Sequence, residues 1–540
     1  MGSRALLLWL DGYDAALAHS LMAEGRLPAL QRLHARSARF ALDHGTARRT
    51  GLAGEHISSG LSPQDAGRFA SIFFDPARYT IWQEGSSLVP FPARLPARTV
   101  VFDTPYFDLA RAPGVRGIVD WGAHDPGTRP DSRPESLRAE IAARFGPYPT
   151  EWIYGFVWNS PARAEAMGAA LVKGCDLRAE AALWLLEERC PDWDLGIVVS
   201  CELHSASEAM WHGHDRTHAL NPLPSSAPAR KSLLAVYDAV DRLVGRMTDA
   251  FPDAALIVCS LHGMGPNRAD VPALLLLPEL LFRHRFGRPL FQDRPDWLAA
   301  ANGVPVLRDD EYWGPCVIAT MPQRQDWHPS LVKRALPPDD GRPPWPDTAT
   351  TTARLRIESL PATRYQPFWP AMRAFAVPAY YDGRVRINLA GREARGRVPR
   401  WAYRLALNAV ERLVRACRDT RTGEPVVDAV ERPGLDNPEA LGPTGSDLVI
   451  TWRGSPLGFV HPRLGRIGPV PQWRTGGHTG GHGMAYLLRS GLAPGDYGLR
   501  SAFDVVPTVV ELMGLAKPTP MSGSSLLAAA AAAPQAAAAE

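Results

Sequence analysis

Asp11 stands at the end of an unbroken apolar run, Ala5-Leu6-Leu7-Leu8-Trp9-Leu10, and is followed by Gly12. Such a run suits a strand buried on both faces, and open α/β sheets keep their ligand chemistry beyond the C-terminal ends of their strands. Asp11 is therefore the first candidate for a functional group; the alternative is a plain cap on the helix that follows. A denser concentration lies after the strand-like Asp194-Leu195-Gly196-Ile197-Val198-Val199-Ser200. There Glu202, His204, Glu208, His212, His214 and His218 bring four His into fifteen residues. Imidazole and carboxylate together make a competent donor set for Zn²⁺ or Mn²⁺. His212, His214 and His218 stay open between substrate contact, ligand orientation and an ordinary solvated loop. Two further histidines sit in glycine-flanked turns, His262 after the strand-like Ala254–Ser260, and His478 in Gly476-Gly477-His478-Thr479-Gly480-Gly481-His482-Gly483. Thr50 precedes a short helix-like stretch ending at Gly60, where backbone N–H groups would face an anion.

The elements that must position these groups follow an α/β rhythm. After the first strand come two helices, one over Ala16–Ala23 closed by Gly25 and one opened by Pro28. Strand-like Thr99–Asp103 and Gly117–Trp121, and helical stretches from about 162 to 189 and 232 to 244, continue the pattern. From about 271 to 440 it changes to proline-rich stretches, Arg clusters and the strand-like Arg384–Leu389. An amphipathic helix over 401 to 417 is expected to pack on the sheet. Core-like sequence returns at Asp447–Trp452, and an Ala-rich tail follows Leu527.

Together these residues resemble the alkaline phosphatase superfamily, its type I phosphodiesterase and nucleotide pyrophosphatase branch. The resemblance runs through the strand ending in Asp11-Gly12, the Gly25-x-Leu27-Pro28-x-Leu30 helix pair, and Thr50 thirteen residues before Pro63 of a Gly-Leu-Ser-Pro turn. It continues through the 204–211 segment, His262-Gly263-Met264, the 476–483 segment and the closing Asp504-x-x-Pro507-Thr508 and Gly523-x-Ser525-Leu526. It implies an alkaline-phosphatase-like three-layer α/β sandwich with a central, mostly parallel sheet. Residues 1–270 and 441–527 would form the catalytic core, 271–440 an inserted cap or surface elaboration, and 528–540 a disordered tail. It further implies Thr50 as the nucleophile, with Thr46 excluded by its spacing to Pro63, and Asp11, His204, Glu208, His262 and His478 as metal ligands, with His478 favoured over His482.

Two ligand positions depart from the family. His204 stands where Asp is usual and Glu208 where His is usual, a swap that keeps both on one helical face. Leu261 replaces the Asp that normally precedes the His at 262, so the metal beside Thr50 keeps Asp11 and His262 with a water or another carboxylate such as Glu202. Arg48 and Arg49 beside Thr50 are candidate phosphate clamps, because guanidinium matches two oxygens at once, and His212 a third candidate for substrate binding. The activity implied is a metal-dependent phosphodiesterase or phosphomonoesterase passing through a phosphothreonine, with one or two ions, Zn²⁺ first and Mn²⁺ as the alternative. A phospho- or headgroup transferase, or a binding protein that has lost one metal site, is the rival expectation.

Composition narrows the partners. The 540 residues carry 59 basic against 56 acidic side chains, a net charge of +3 that gives no reason to expect nucleic acid or a membrane surface. The six cysteines lack CxxC pairs, which argues against both a disulfide framework and a thiolate zinc site. The first apolar run is too short to span a bilayer and meets Asp11 and Asp14 rather than a cleavage site, so a cytoplasmic protein acting on a small phosphorylated or phosphodiester substrate is expected.

Overall fold

The computed structural model describes residues 4–85, 87–122, 130–150, 160–322, 354–355, 357, 360–441 and 444–528. The proline-rich stretches near 337 and 343 and the Ala-rich tail from 529 lie outside the described residues. Nine strands form the central sheet: β1 (Ala5–Leu10), β2 (Ala38–Asp43), β3 (Thr99–Phe102), β4 (Arg116–Val119), β5 (Asp131–Arg133), β6 (Leu195–Ser200), β7 (Ala255–His262), β8 (His482–Leu488) and β9 (Gly495–Ser501). Their spatial order is β9-β2-β8-β7-β1-β6-β3-β4-β5. Five of the eight pairings are parallel, and β8 and β5 supply the antiparallel ones.

β1 holds the centre because it is apolar on both faces. All six of its residues are buried. Leu6, Leu8 and Leu10 pack into one apolar cluster while Leu7 and Trp9 pack into another, as side-chain alternation demands of a strand covered on both sides. The first cluster is built with helices α1 (Ala15–Ala23), α2 (Pro28–Arg36), α4 (Pro161–Trp184), α5 (Glu202–His214) and α6 (Ser226–Ala250); the second takes Ile57 of α3 (Ala53–Ser59) and Val505, Val509 and Leu512 of α7 (Val505–Leu512). The fold is thus an α/β sandwich of three layers. The cap on α1 is Asp14, whose carboxylate accepts from Leu17 N at 2.9 Å, so capping is not the task of Asp11.

A third apolar cluster runs from Ala269 to Val470 and also takes in Ile72, Tyr79 and Ile81. It is built on a four-stranded antiparallel sheet of Ala374–Val377, Gly383–Ile387, Leu448–Trp452 and Val427–Glu431. Leu448–Trp452, grouped by the sequence with the catalytic core, therefore pairs within this smaller sheet and not in the central one. An apolar run identifies a buried strand but carries no information about which sheet buries it. The helix Tyr403–Arg415 packs its apolar side, including Leu407, Val410 and Val414, into the same cluster.

Gly12 sets the distance between β1 and α5. It has φ +73°, and a Cβ there would lie 2.2 Å from the His204 Cα. Gly25 has a similar φ of +76° with nothing within 4 Å of a Cβ. Gly25→Ala should cost only the strain of a left-handed alanine, about 1–2 kcal/mol. Gly12→Ala adds a backbone clash and should cost several times more in urea unfolding; equal losses for the two variants would remove this constraint.

Candidate functional site

Strand register gathers the candidate residues at one edge of the sheet. Leu10 of β1 lies opposite Ser200 of β6, and β7 ends at His262. β8 runs the other way and enters at His482 opposite His262, so the turn before it, with His478, lies at the same edge. β2 is antiparallel to β8 and ends at Asp43, which brings His44 there too. Asp11, His204, His262, His478 and His44 thus meet beyond the C-terminal ends of parallel strands, the usual position for ligands in open α/β sheets.

The four histidine rings and that of His56 form a row. His56 Nδ1 lies 2.9 Å from His44 Nε2, His44 Nδ1 lies 3.0 Å from His262 Nδ1, His262 Nε2 meets His478 Nδ1, and His478 Nε2 lies 2.9 Å from His204 Nε2. The row ends at Glu208, whose Oε1 is 3.5 Å from His204 Nε2. Burial holds the pKa of His56 and of His262 down to about 3 and that of His44 well below its usual value, with neighbouring His and Arg side chains pushing the same way. These rings are neutral in the physiological range. Burial also lifts the Asp11 carboxyl to about 7, helped by the charge of Glu208 and opposed by the Gly12 N–H.

The remaining sequence candidates divide sharply. Glu208 Oε1 is held by Arg474, which also forms a two-pronged pair with Asp270 at 2.6 and 2.7 Å. Glu202, the carboxylate suggested in place of position 261, is engaged by Arg178 at 2.8 Å and by Ser200, and Arg178 in turn reaches Asp103 at 2.7 Å. That fully buried network fixes Glu202 in the fold, away from ligation. Leu261 packs into the apolar cluster beneath α7. His212 points to Ser225 Oγ at 3.2 Å, between α5 and α6.

Thr50 ends a short 3₁₀ helix, Gly45–Thr50, and its hydroxyl donates to Ala47 O at 2.7 Å and accepts from Leu52 N at 3.2 Å. Two contacts tie this loop to the row. Arg48 Nη1 donates to Gly480 O at 3.0 Å, and its charge is felt at His44 and His262. The Tyr381 ring lies 5.0 Å from that of His478 and 3.1 Å from where a Cβ on Gly51 would sit. Arg49 reaches Glu431 at 2.9 Å and Thr451 at 3.3 Å. Thr46 and Thr50 both line a cavity of about 110 Å³ with Arg49 and Arg384.

His44, His56, Arg474 and Tyr381 were not singled out by sequence reasoning. The alternation in Ala38–Asp43 was the available signal for His44, since it marks a strand whose end places the next residue at the sheet edge. Nothing local marks Tyr381 or Arg474, whose partners are far away in the chain.

Among the described residues, no three His, Cys, Asp or Glu side chains already converge on one point; the donors face each other in pairs. Their chemistry nevertheless fits a divalent ion. Buried neutral imidazoles beside a carboxyl group are the borderline-soft donor set that Zn²⁺ takes.

No family model and no curated protein matches the chain. Among solved structures, it overlaps a phosphonoacetate hydrolase from Sinorhizobium meliloti in complex with phosphonoformate, with 14% identity, 95% of this chain and 96% of that one covered, and a TM-score of 0.47. It also overlaps an inactive form of murine ectonucleotide pyrophosphatase/phosphodiesterase 5 in complex with AMP, with 10% identity, 97% of each chain covered and a TM-score of 0.45. Both neighbours are members of the alkaline phosphatase superfamily. With TM-scores below 0.5, functional assignment depends on the residues themselves.

A divalent ion taken up through Asp11 must displace the proton that this carboxyl keeps until about pH 7. Metal affinity should therefore fall about tenfold for each pH unit below 7 and level off above it, since His262, held neutral by burial, adds no competing proton there. Calorimetric titration with Zn²⁺ between pH 5.5 and 8 checks this; a flat profile would remove Asp11 from the ligand set.

Proposed function

We propose that the protein is a metal-dependent phosphoric ester hydrolase of the alkaline phosphatase superfamily, in its type I phosphodiesterase and nucleotide pyrophosphatase branch. It would act on a small phosphorylated or phosphodiester substrate. The observation that carries this reading is the meeting of Asp11, His204, His262 and His478 at the C-terminal edge of the sheet, with the Thr50 loop joined to them through Arg48 and Tyr381. Asp11, His204, Glu208, His262 and His478 would hold one or two ions, Zn²⁺ first, with Arg474 sharing Glu208. A bound ion supplies charge that lowers the proton affinity of a hydroxyl and offsets the charge of a transferring phosphoryl group.

The chain's own residues do the rest. In this reading the Thr50 hydroxyl gives up its bond to Ala47 O and its proton, its oxygen forms the bond to phosphorus as the bond from phosphorus to the ester alcohol breaks, and that alcohol leaves carrying a proton; water then cleaves the bond between phosphorus and Thr50, restoring the hydroxyl and releasing phosphate from a monoester or the phosphomonoester from a diester. Arg48, which reaches Gly480 O, and Arg49, which lines the Thr50 cavity while pairing with Glu431, are the guanidiniums that would meet the phosphoryl oxygens. Tyr381 brings the 271–440 insertion onto the nucleophile loop, which supports its role as a cap that selects the ester group. A reducing, cytoplasmic setting agrees with six cysteines that are all unpaired. No helix among the described residues is long and apolar enough to cross a membrane.

Leu261 favours a second reading, a binding protein without turnover, and nucleophile substitution separates the two. With Zn²⁺ or Mn²⁺ and a panel of phosphomono- and diesters, Thr50→Ala should lose on the order of 10³-fold or more in kcat while keeping its metal, as when a covalent route is removed. Thr46→Ala, which alters the same cavity, should stay within a few-fold of the parent. Reversal of the two results would reassign the nucleophile, and absence of turnover in the metal-loaded parent would favour the binding protein.

A further inference from the structure

His44 and His56 lie outside the set of residues proposed to hold metal, yet they continue its row of rings. Both are buried, and Phe503 packs on each with centroids 5.5 and 5.4 Å away. Between β2 and β7 the strand β8 carries Gly483, paired with Leu42, so no side chain of that residue separates the two edges where His44 and His262 stand.

Contact geometry decides what His44 can do for His262. Their Nδ1 atoms are 3.0 Å apart, their ring planes are 15° apart and their centroids 5.1 Å apart. That centroid separation equals the N···N gap plus one ring radius at each end, so the rings meet edge to edge and the two nitrogens point head-on. Two ligands of one tetrahedral ion present lone pairs that converge at an angle, and a collinear pair at Zn–N distances of about 2.0–2.1 Å would need about 4 Å between nitrogens. Head-on at 3.0 Å is instead the geometry of one N–H···N hydrogen bond. His44 Nε2 also meets His56 Nδ1 head-on, at 2.9 Å with centroids 5.1 Å apart, although these two ring planes are 82° apart.

We propose that His44 and His56 are positioning residues that fix the tautomer of His262: His262 Nδ1–H donates to His44 Nδ1, and His44 Nε2–H donates to His56 Nδ1. The bookkeeping closes, because each neutral ring carries one N–H. His262 spends its proton on His44, leaving Nε2 as a lone pair turned toward His478. His56 Nε2 has no hydrogen-bond partner among the described residues and carries the terminal proton. The relay gives His262 the fixed orientation that a ligand histidine ordinarily receives from a carboxylate or carbonyl oxygen. With Leu261 contributing no ligand, correct presentation of His262 Nε2 matters more than it would beside an Asp.

The inference rests on the metal-dependent reading for its purpose but not for its first measurement. Long-range ¹H–¹⁵N spectra of metal-free protein with ¹⁵N-labelled histidine, assigned by single-site substitution, should show His262 and His56 protonated at Nδ1 and Nε2 respectively, and His44 protonated at Nε2. His262 found as the Nε2–H tautomer overturns the proposal whatever the variants do to metal binding. In Co²⁺ titrations, His44→Leu, which removes the acceptor, should weaken binding about 10- to 100-fold with the visible spectrum of the bound ion unchanged in type. His44→Asn, whose amide oxygen can stand near the Nδ1 position, should recover most of that loss. Equal affinity in His44→Leu and the parent overturns the proposal. If the tautomers are as stated but no Co²⁺ binds the parent, the relay stands and the metal-dependent hydrolase fails.

Discussion

The parallel register of β1 between β6 and β7 is the constraint on which the site depends. Pairing Leu10 with Ser200, and Trp9 with Cys259, ends three strands at nearly one level and fixes where the chain may turn. Asp11, His204 and His262 then stand at the sheet edge without separate means of placing each one. A slip of one residue would turn the apolar faces of β1 into the wrong layers, so the two helical layers that bury it also enforce the geometry of the site.

Charge at this edge is managed by two buried arginines. Arg178 neutralises Asp103 and Glu202, and Arg474 neutralises Asp270 and Glu208. Buried carboxylates of this kind are tolerated only when paired and hydrogen-bonded, and removing one partner commonly costs about 3–5 kcal/mol. The two networks differ in reach. The first is closed around Glu202, whereas the second meets the histidine row at Glu208, so Arg474 joins the scaffold to the site. Asp11 has no arginine among the causes that shift its pKa, and burial lifts it toward neutrality.

Much of this was legible in the sequence because strand ends are legible. Six apolar residues followed by Asp-Gly marked β1 and Asp11, the density of His after β6 marked α5, and the glycines around His478 marked a turn where chains approach closely. The resemblance supplied chain order, which local patterns lack. What escaped was long-range partnering. Glu208 and Glu202 looked alike in one dimension, and only Arg474 and Arg178, 266 and 24 residues away, distinguish them. Leu448–Trp452 was read as a core strand for the same reason, since alternation and hydrophobicity describe a strand's faces and say nothing of its neighbours. His44 and His56 were passed over because a single histidine without a matching motif carries little signal until its partner is in view.

The central position of β1 also shapes how the chain reaches this fold. The strand is followed by its two sheet neighbours only about 190 and 250 residues later in the chain. At roughly 5–20 residues per second, translation leaves Leu6, Leu7, Leu8 and Trp9 without sheet partners for roughly 10–50 s. Pairing so distant in sequence is slow to nucleate, and an exposed apolar strand is an open edge for any other nascent chain. The arrangement that gives the mature protein its rigid centre therefore leaves the newborn chain with an unpaired apolar strand until both of that strand's neighbours have emerged.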